Sequence, residues 1–391
     1  MCRQQKVRFA KSLTPSTSVL YCSPQLLANG WAIQHWRTAT SIAESAARSA
    51  LAEWPGASWP HANVTGGIRV DYRRGAQGDE VSRIQARLRD VGLYRGPIDG
   101  SFGGGTESAI RAFQKTQSLA PDGVVGPTTW QALFGAGVPI PTPSIWDKPL
   151  AYRNLALSGA FETQAPVPEC FAGLAGDFDG QGISFGALQW NLGQGTLQPL
   201  LAAMDKSHPD VVENVFGPHA DELRAMIASS HDDQLTWARS IQDRQRFILI
   251  EPWRGLLKSL GRSDEFQAIE VDAARQIYQD ALEWCRKYDV QSERAVALMF
   301  DIRVQNGSIS NITRSQIQRD FAMFETAGDA DALEVGRLRV IANRRAEAAS
   351  PRWVEDVRLR KLTIANGVGT VHGAHYELET QYGISLRRAV N

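Results

Sequence analysis

From residue 149 onward, most apolar positions recur at intervals of three and four, the spacing of amphipathic helices. That spacing predicts helices over 209–216, 220–229, 232–243, 246–260, 264–288, 293–305, 315–326, 330–348 and 353–365. One stretch departs from it. Ile183 to Trp190 alternates as a strand does, behind the glycine-rich run Asp177-Phe178-Asp179-Gly180-Gln181-Gly182. Ahead of both, Leu155 to Phe161 is an apolar run that ends at Glu162, shortly before Pro166 forbids more helix.

Residues 67–136 follow a different rule, a short tandem repeat. Pro97-Ile98-Asp99-Gly100-Ser101-Phe102-Gly103 is followed by Thr106, and Pro121-Asp122-Gly123-Val124-Val125-Gly126 by Thr129. Each Asp-Gly pair suits a tight turn, because glycine accepts positive φ and aspartate bonds its own backbone nearby. An amphipathic helix follows each turn, carrying Ala109, Ile110 and Phe113 in one copy and Trp130, Leu133 and Phe134 in the other. Val81, Ile84 and Leu88 mark a helix before them that ends at Gly92. The sum is a three-helix unit in which Trp130 and Phe113 read as core and the two aspartates as turn formers.

This unit resembles the widespread three-helix peptidoglycan-binding domain. Both Asp-Gly turns, Phe113-Gln114 and Thr129-Trp130 fall where that family has them. The resemblance implies binding of wall peptide or glycan near the repeats, with Asp99, Gly100, Asp122, Gly123 and Thr129 as candidate contacts.

The flanks are less informative. Residues 1–66 hold one alanine-rich helix candidate from Trp31 to Trp54, between proline- and glycine-bearing loops. Residues 137–148 carry three prolines, the composition of a short, stiff, extended linker. A hydrolytic domain over 149–391 completes the expected organisation.

Composition narrows the partners. Forty-two basic residues balance forty-two acidic ones in 391, so nothing in the charge points to nucleic acid. Hydrophobic residues at 43% and charged residues at 21% suit a folded chain. No apolar run is long enough for a spanning helix, and no stable membrane insertion is expected. The N-terminus is basic without the apolar core of a Sec signal. The expectation is synthesis in the cytoplasm and release to the wall by a holin, a dedicated secretion machine or lysis. Cys2, Cys22, Cys170 and Cys285 form no C-x-x-C pair and read as free thiols. Seven histidines show no H-E-x-x-H spacing, and His372 with His375 reads as surface. No metal or organic cofactor is implied, and no G-x-S-x-G elbow offers a nucleophile.

Paired carboxylates remain. Glycoside hydrolysis needs one protonated carboxyl to release the leaving oxygen and one ionised carboxylate. Glu162, beside Phe161 at a helix end, is placed where desolvation raises a carboxyl pKa and suits a general acid. Asp179 lies in an open glycine-rich turn that favours an ionised base able to activate water. Acidic residues in loops are also ordinary turn formers, and Asp177 and Glu169 compete locally for either role.

The segment from Glu162 through Asp179-Gly180-Gln181-Gly182-Ile183-Ser184-Phe185-Gly186 is similar to the active-site signature of chitosanases of glycoside hydrolase family forty-six. Phe300-Asp301-Ile302-Arg303-Val304-Gln305-Asn306-Gly307 resembles a second segment of that family. The resemblance implies an inverting enzyme with Glu162 as acid, Asp179 as base and Ser184 holding the attacking water. It also implies a buried charge network in which Asp301 supports the acid, with Arg344 or Arg345 as its partner. Gln181 and Asn306 depart from the family pattern, which bears on substrate preference. Gln189, Trp190, Asn191 and Gln194 are candidates to line a glycan cleft.

The reading is of a mainly α protein: a three-helix peptidoglycan-binding domain joined to a lysozyme-like α+β domain with a small β element. Its expected activity is hydrolysis of the peptidoglycan glycan strand, of endolysin or muramidase type, by a monomer. The alternatives are a chitosanase acting on a chitosan-like glycan and a wall-binding protein without catalysis.

Overall fold

The computed structural model of the protein describes residues 70–76, 78–323 and 329–390. The helix expected between Trp31 and Trp54 lies outside them, as do Cys2 and Cys22. The N-terminal unit is the expected bundle of α1 (Asp79–Asp90), α2 (Gly104–Thr116) and α3 (Pro127–Phe134). Its core is made of Val81, Ile84, Leu88, Ile110, Phe113, Val125, Trp130 and Leu133, all but sealed from solvent. Both aromatics read as core from the sequence are therefore core.

The remainder is mainly helical, with three small sheets. The long buried α4 (Leu150–Thr163) leads into β1 (Leu174–Ala175), β2 (Ser184–Phe185) and β3 (Trp190–Asn191), which pair antiparallel in that order. The strand expected over 183–190 is thus two short strands, because Gly186 at φ 87° and Gln189 at φ 54° turn the chain between them. Four helices follow: α5 (Gln198–Ser207), α6 (Pro209–Phe216), α7 (Ala220–Ala228) and α8 (His231–Ser240). Next come the hairpin of β4 (Gln242–Asp243) and β5 (Ile248–Leu249), then α9 (Trp253–Arg262), α10 (Asp264–Ala273) and α11 (Arg275–Lys287). The chain closes with α12 (Glu293–Asn306), α13 (Asn311–Phe321), α14 (Ala330–Glu347), α15 (Val354–Asn366), the hairpin β6 (Val368–Val371) and β7 (Ala374–Glu377), and α16 (Leu378–Tyr382). Ser230, Ser263, Ser292 and Ser310 each accept the backbone N–H three residues on, which is why α8, α10, α12 and α13 begin where they do.

Two expectations fail here. A helix over 246–260 is replaced at its start by the β4–β5 hairpin. The Asp243 carboxylate accepts the backbone N–H groups of Gln245 and Arg246, and Phe247 takes φ 53°, so the chain reverses before Pro252. The single helix over 264–288 is broken between Ala273 and Arg275.

The larger part holds two hydrophobic cores. One gathers α4, α11, α12, α14, α15 and the C-terminal hairpin; the other gathers α5 to α10. The small sheet sits where they meet: Phe185 belongs to one core, Ala187 and Leu188 to the other, and Trp190 packs against both. Cys170 and Cys285 are free and buried, and burial pushes both thiols up, away from nucleophilic use.

The linker is not a free tether. Tyr72 donates its hydroxyl to the Pro141 carbonyl at 2.6 Å, and Ile140 packs on the N-terminal core. Ser144–Asp147 forms a short 3-10 turn, Ile145 packs on the larger core, and Arg387 lies over the Trp146 ring. Directly between the two units, Arg73 pairs with Glu377 at 2.7 Å.

Candidate functional site

The loop between β1 and β2 carries two aspartates whose oxygens are used differently. Asp177 is buried and fully engaged. Its Oδ1 accepts the Gly182 N–H at 2.7 Å, and its Oδ2 meets Arg239 Nε at 2.9 Å. Its own N–H donates to Gln242 Oε1. Asp179 accepts the Gln181 N–H on Oδ1 at 3.1 Å, while its Oδ2 has no hydrogen-bond partner among the described residues. One aspartate closes the loop; the other is left with a carboxylate oxygen to use. Glu169, the remaining local competitor, is tied in a two-pronged pair with Arg262, which holds its carboxyl below the usual range.

Glu162 stands in the last turn of α4, which ends as Gln164 adopts the left-handed region at φ 55°. Its side chain is only 1% exposed, and Oε1 lies 2.7 Å from Arg360 Nη1. The same guanidinium rests on the Phe161 ring and donates from Nε and Nη2 to Asp301. Asp301 is completely buried and also accepts from Ser158 Oγ at 2.9 Å and from Lys361. Lys361 reaches Gln305 Oε1 at 2.7 Å as well. Two carboxylates and two cations thus share one sealed cluster. Burial pushes Asp301 up, but Arg360 and Lys361 overcome it and hold the carboxyl well below the usual range. Burial brings Lys361 down to about 8, with Asp301 opposing the shift.

Arg344 has no part in this cluster, contrary to the sequence reading. It pairs with Asp320 and Glu347, because its side chain leaves α14 toward α13. The partner of Asp301 comes instead from α15, which packs on α12 and presents Arg360 and Lys361 inward. Two adjacent cations among Val357, Thr363, Ile364 and Ala365 were the available signal.

Ser184 and Asn191 face each other across β2 and β3, and Asn191 Nδ2 donates to Ser184 Oγ at 3.0 Å. Asn191 is 4% exposed, with its Oδ1 on the Gln194 N–H. It braces Ser184 from inside and does not line a cleft, a second correction. Trp190 is half-buried between the two cores, Gln189 donates its side-chain amide to the Gly186 carbonyl, and Gln194 is exposed.

A residue the sequence reading passed over sits beneath this turn. Glu270, on α10, is fully buried; its Oε2 accepts the Ala187 N–H at 2.9 Å and its Oε1 has no hydrogen-bond partner among the described residues. Burial raises its carboxyl well above the usual range. A Cβ on Gly186 would stand 2.6 Å from Glu270 Oε1, so glycine is what lets the turn lie on the carboxyl.

In the N-terminal unit the repeat becomes a repeated clamp. Gln85 Nε2 donates to Asp99 Oδ1, the Ser101 carbonyl and Thr106, and Gln85 Oε1 accepts the Gly100 N–H. Gln114 does the same for Asp122, the Val124 carbonyl, Thr129 and Gly123. Asp99, Asp122 and Thr129 therefore spend polar atoms on holding turns, and the two glutamines are the residues missed. His372 pairs with Asp356 at 2.6 Å, and no group of three or more metal-ligating side chains occurs among the described residues.

Residues 77–133 match the family described as "Putative peptidoglycan binding domain". N-acetylmuramoyl-L-alanine amidase CwlM of Mycobacterium tuberculosis is 46% identical over 57 residues, 15% of this chain and 14% of that protein. The spore cortex-lytic enzyme of Bacillus subtilis is 50% identical over 63 residues, 16% of this chain and 21% of that enzyme. The chain thus spans well under two thirds of these relatives, and the matched part is the three-helix unit. Among solved structures, a chitosanase complex superposes with a TM-score of 0.37 at 16% identity over 58% of this chain and 95% of that one. A Burkholderia AP3 phage endolysin superposes with a TM-score of 0.16 at 18% identity, covering 60% and 96%. Scores this low carry no argument about the larger domain, whose reading rests on its own side chains. No helix among the described residues is long and apolar enough to cross a membrane.

Proposed function

We propose that this protein hydrolyses the glycan strand of peptidoglycan by inverting acid/base catalysis, held to the wall by the three-helix unit. Glu162 is the acid, Asp179 the base, and Ser184 helps to hold the attacking water. The observation that carries the reading is the division of labour in the β1–β2 loop. Asp177 and Glu169 are consumed by arginines, while Asp179 keeps a buried oxygen without a hydrogen-bond partner among the described residues, which leaves it able to accept a proton from a water that reaches it. Ser184 supports the reading because Asn191 fixes its hydroxyl from behind. The buried cluster of Asp301, Arg360 and Lys361 supports it by fixing the Glu162 side chain.

The test is the release of new reducing ends from purified sacculi by wild type, Glu162→Gln and Asp179→Asn. New ends from wild type alone sustain the reading, and the sugar at each end names the bond. Cleavage of chitosan but not sacculi moves the assignment to a chitosanase, and inactivity on both leaves a wall-binding protein.

A further inference from the structure

The hairpin that displaced a predicted helix lies directly against the loop of Asp179. Gln242 Oε1 accepts the Asp177 N–H at 2.8 Å, and Arg239, just ahead of the hairpin, pairs with Asp177 and donates to the Gly180 carbonyl. The contact is close: a Cβ on Gly176 would stand 2.1 Å from the Phe247 carbonyl oxygen. Whatever the hairpin tip meets is therefore beside the proposed base.

The tip is built unlike an ordinary solvated turn. Phe247, Ile248 and Ile250 are 40%, 51% and 48% exposed, and Phe178 in the neighbouring loop is 41% exposed. Four large apolar side chains left in water so close together need a reason. Arg244 and Arg246, just ahead of Phe247 in the chain, are exposed and make no ion pair among the described residues. The carboxylates nearby along the chain are already engaged. Asp243 caps the tip backbone, Asp177 holds Arg239, and Glu251 accepts the Gly255 N–H. The tip thus offers two exposed guanidinium groups, that of Arg246 partly balanced by Asp243, and an apolar shelf.

We infer that residues 242–249 form a subsite for the acidic stem peptide of the glycan strand, an inference that rests on the hydrolase reading above. Arg244 and Arg246 pair with the peptide's carboxylates, and Phe247 and Ile248 cover its alkyl portions. The charge disfavours the opposite class of substrate. A polymer of glucosamine units carries ammonium groups, which two exposed guanidinium groups beside the Asp179 loop repel.

The experiment compares sacculus-derived glycan strands that keep their stem peptides with strands stripped of them by an amidase. Each is cut by wild-type full chain and by the Arg244→Glu/Arg246→Glu variant, with KM and kcat read separately. Exposed ion pairs contribute about 0.2–1 kcal/mol each. Two of them give an expected KM about two- to thirtyfold lower on peptide-bearing strands for wild type. The variant should lose that preference, keep kcat on stripped strands, and unfold at the wild-type denaturant midpoint. Added salt should erode the preference in wild type alone. A variant that prefers peptide-bearing strands as strongly as wild type overturns the inference and leaves the hydrolase reading standing. No cleavage of either strand by wild type removes the hydrolase reading, and the subsite with it. Sedimentation of wild type, but not of Phe247→Ser/Ile248→Ser, with phosphatidylglycerol vesicles also overturns it and assigns the tip to a lipid surface.

Discussion

Arg360 holds Glu162 and Asp301 at once, one nitrogen 2.7 Å from the first carboxylate and another 2.6 Å from the second. All three side chains are at most 2% exposed. A charge so placed is costly unless paired, so each member depends on the others.

Asp301→Asn should therefore destabilise the fold by about 3–5 kcal/mol, since it removes the buried counter-charge of Arg360 and Lys361. The denaturant midpoint reads this. Arg360→Lys keeps the charge but cannot span two carboxylates. Its expected signature is a smaller loss of stability with kcat down about a hundredfold and KM within about twofold, because a displaced acid is lost chiefly from the transition state. Unchanged kcat in Arg360→Lys would remove the cluster from the mechanism.

Glu270 gives a pH prediction. Its folded carboxyl is raised by burial, so the folded state binds a proton that the unfolded state releases more readily. Its contribution is fully present below the unfolded carboxylate pKa of about 4.3 and is lost as pH rises through the folded value. Glu270→Gln is permanently neutral and has no such loss. Urea midpoints taken from about pH 4 to pH 8 should show the variant gaining on wild type as pH rises. Parallel curves would mean that Glu270 does not titrate above its unfolded value.

Gln114→Ala removes the clamp from the second turn of the three-helix unit. At about 1 kcal/mol for each hydrogen bond lost, the unit should weaken by about 2–4 kcal/mol. Binding to sacculi should fall accordingly, while hydrolysis of short soluble glycans stays at the wild-type rate. Gln85→Ala should do at least as much, since it makes the equivalent four contacts and two more, to Tyr94 and the Asp99 N–H. Unchanged sacculus binding in both variants would separate the Asp-Gly turns from recognition.

Gly176→Ala forces a methyl group onto the Phe247 carbonyl, moving the hairpin away from the Asp179 loop. Overpacking of this kind costs about 1–3 kcal/mol. The expected result is slower glycan cleavage with sacculus binding intact. Wild-type turnover would show that the loop and the hairpin act independently.

What the sequence disclosed was what local chemistry decides. Asp99-Gly100 and Asp122-Gly123 encode their turns by themselves, and the helices over 209–216 and 330–347 follow from apolar spacing and local starts. Glu162 and Asp179 stand out as candidates together with the loop that separates them, but the reason to prefer Asp179 over Asp177 as the proposed base does not. That reason is Arg239, sixty-two positions away in the chain. Arg360 escaped notice on the same ground, since fifty-nine positions separate it from Asp301. The β4–β5 hairpin was misread because Phe247, Ile248 and Ile250 continue a helical spacing toward Leu257 and Leu260. Only the Asp243 cap and the packing against Gly176 decide otherwise. Val368–Val371 and Ala374–Glu377 went unpredicted as a hairpin because four-residue strands give too little alternation to stand out.

Pro141 and Trp146 set a length. A blade on a slack cord reaches every point within a sphere, and its cuts scatter around the place where it is tied. Here the cord is fastened at both ends, by Tyr72 to Pro141 on one side and by Arg387 over Trp146 on the other. The reach has become a radius. On the function proposed above, a strand gripped by the three-helix unit would present its bond to Glu162 and Asp179 at one offset from the grip, and the pieces left beneath the anchor should share a single size.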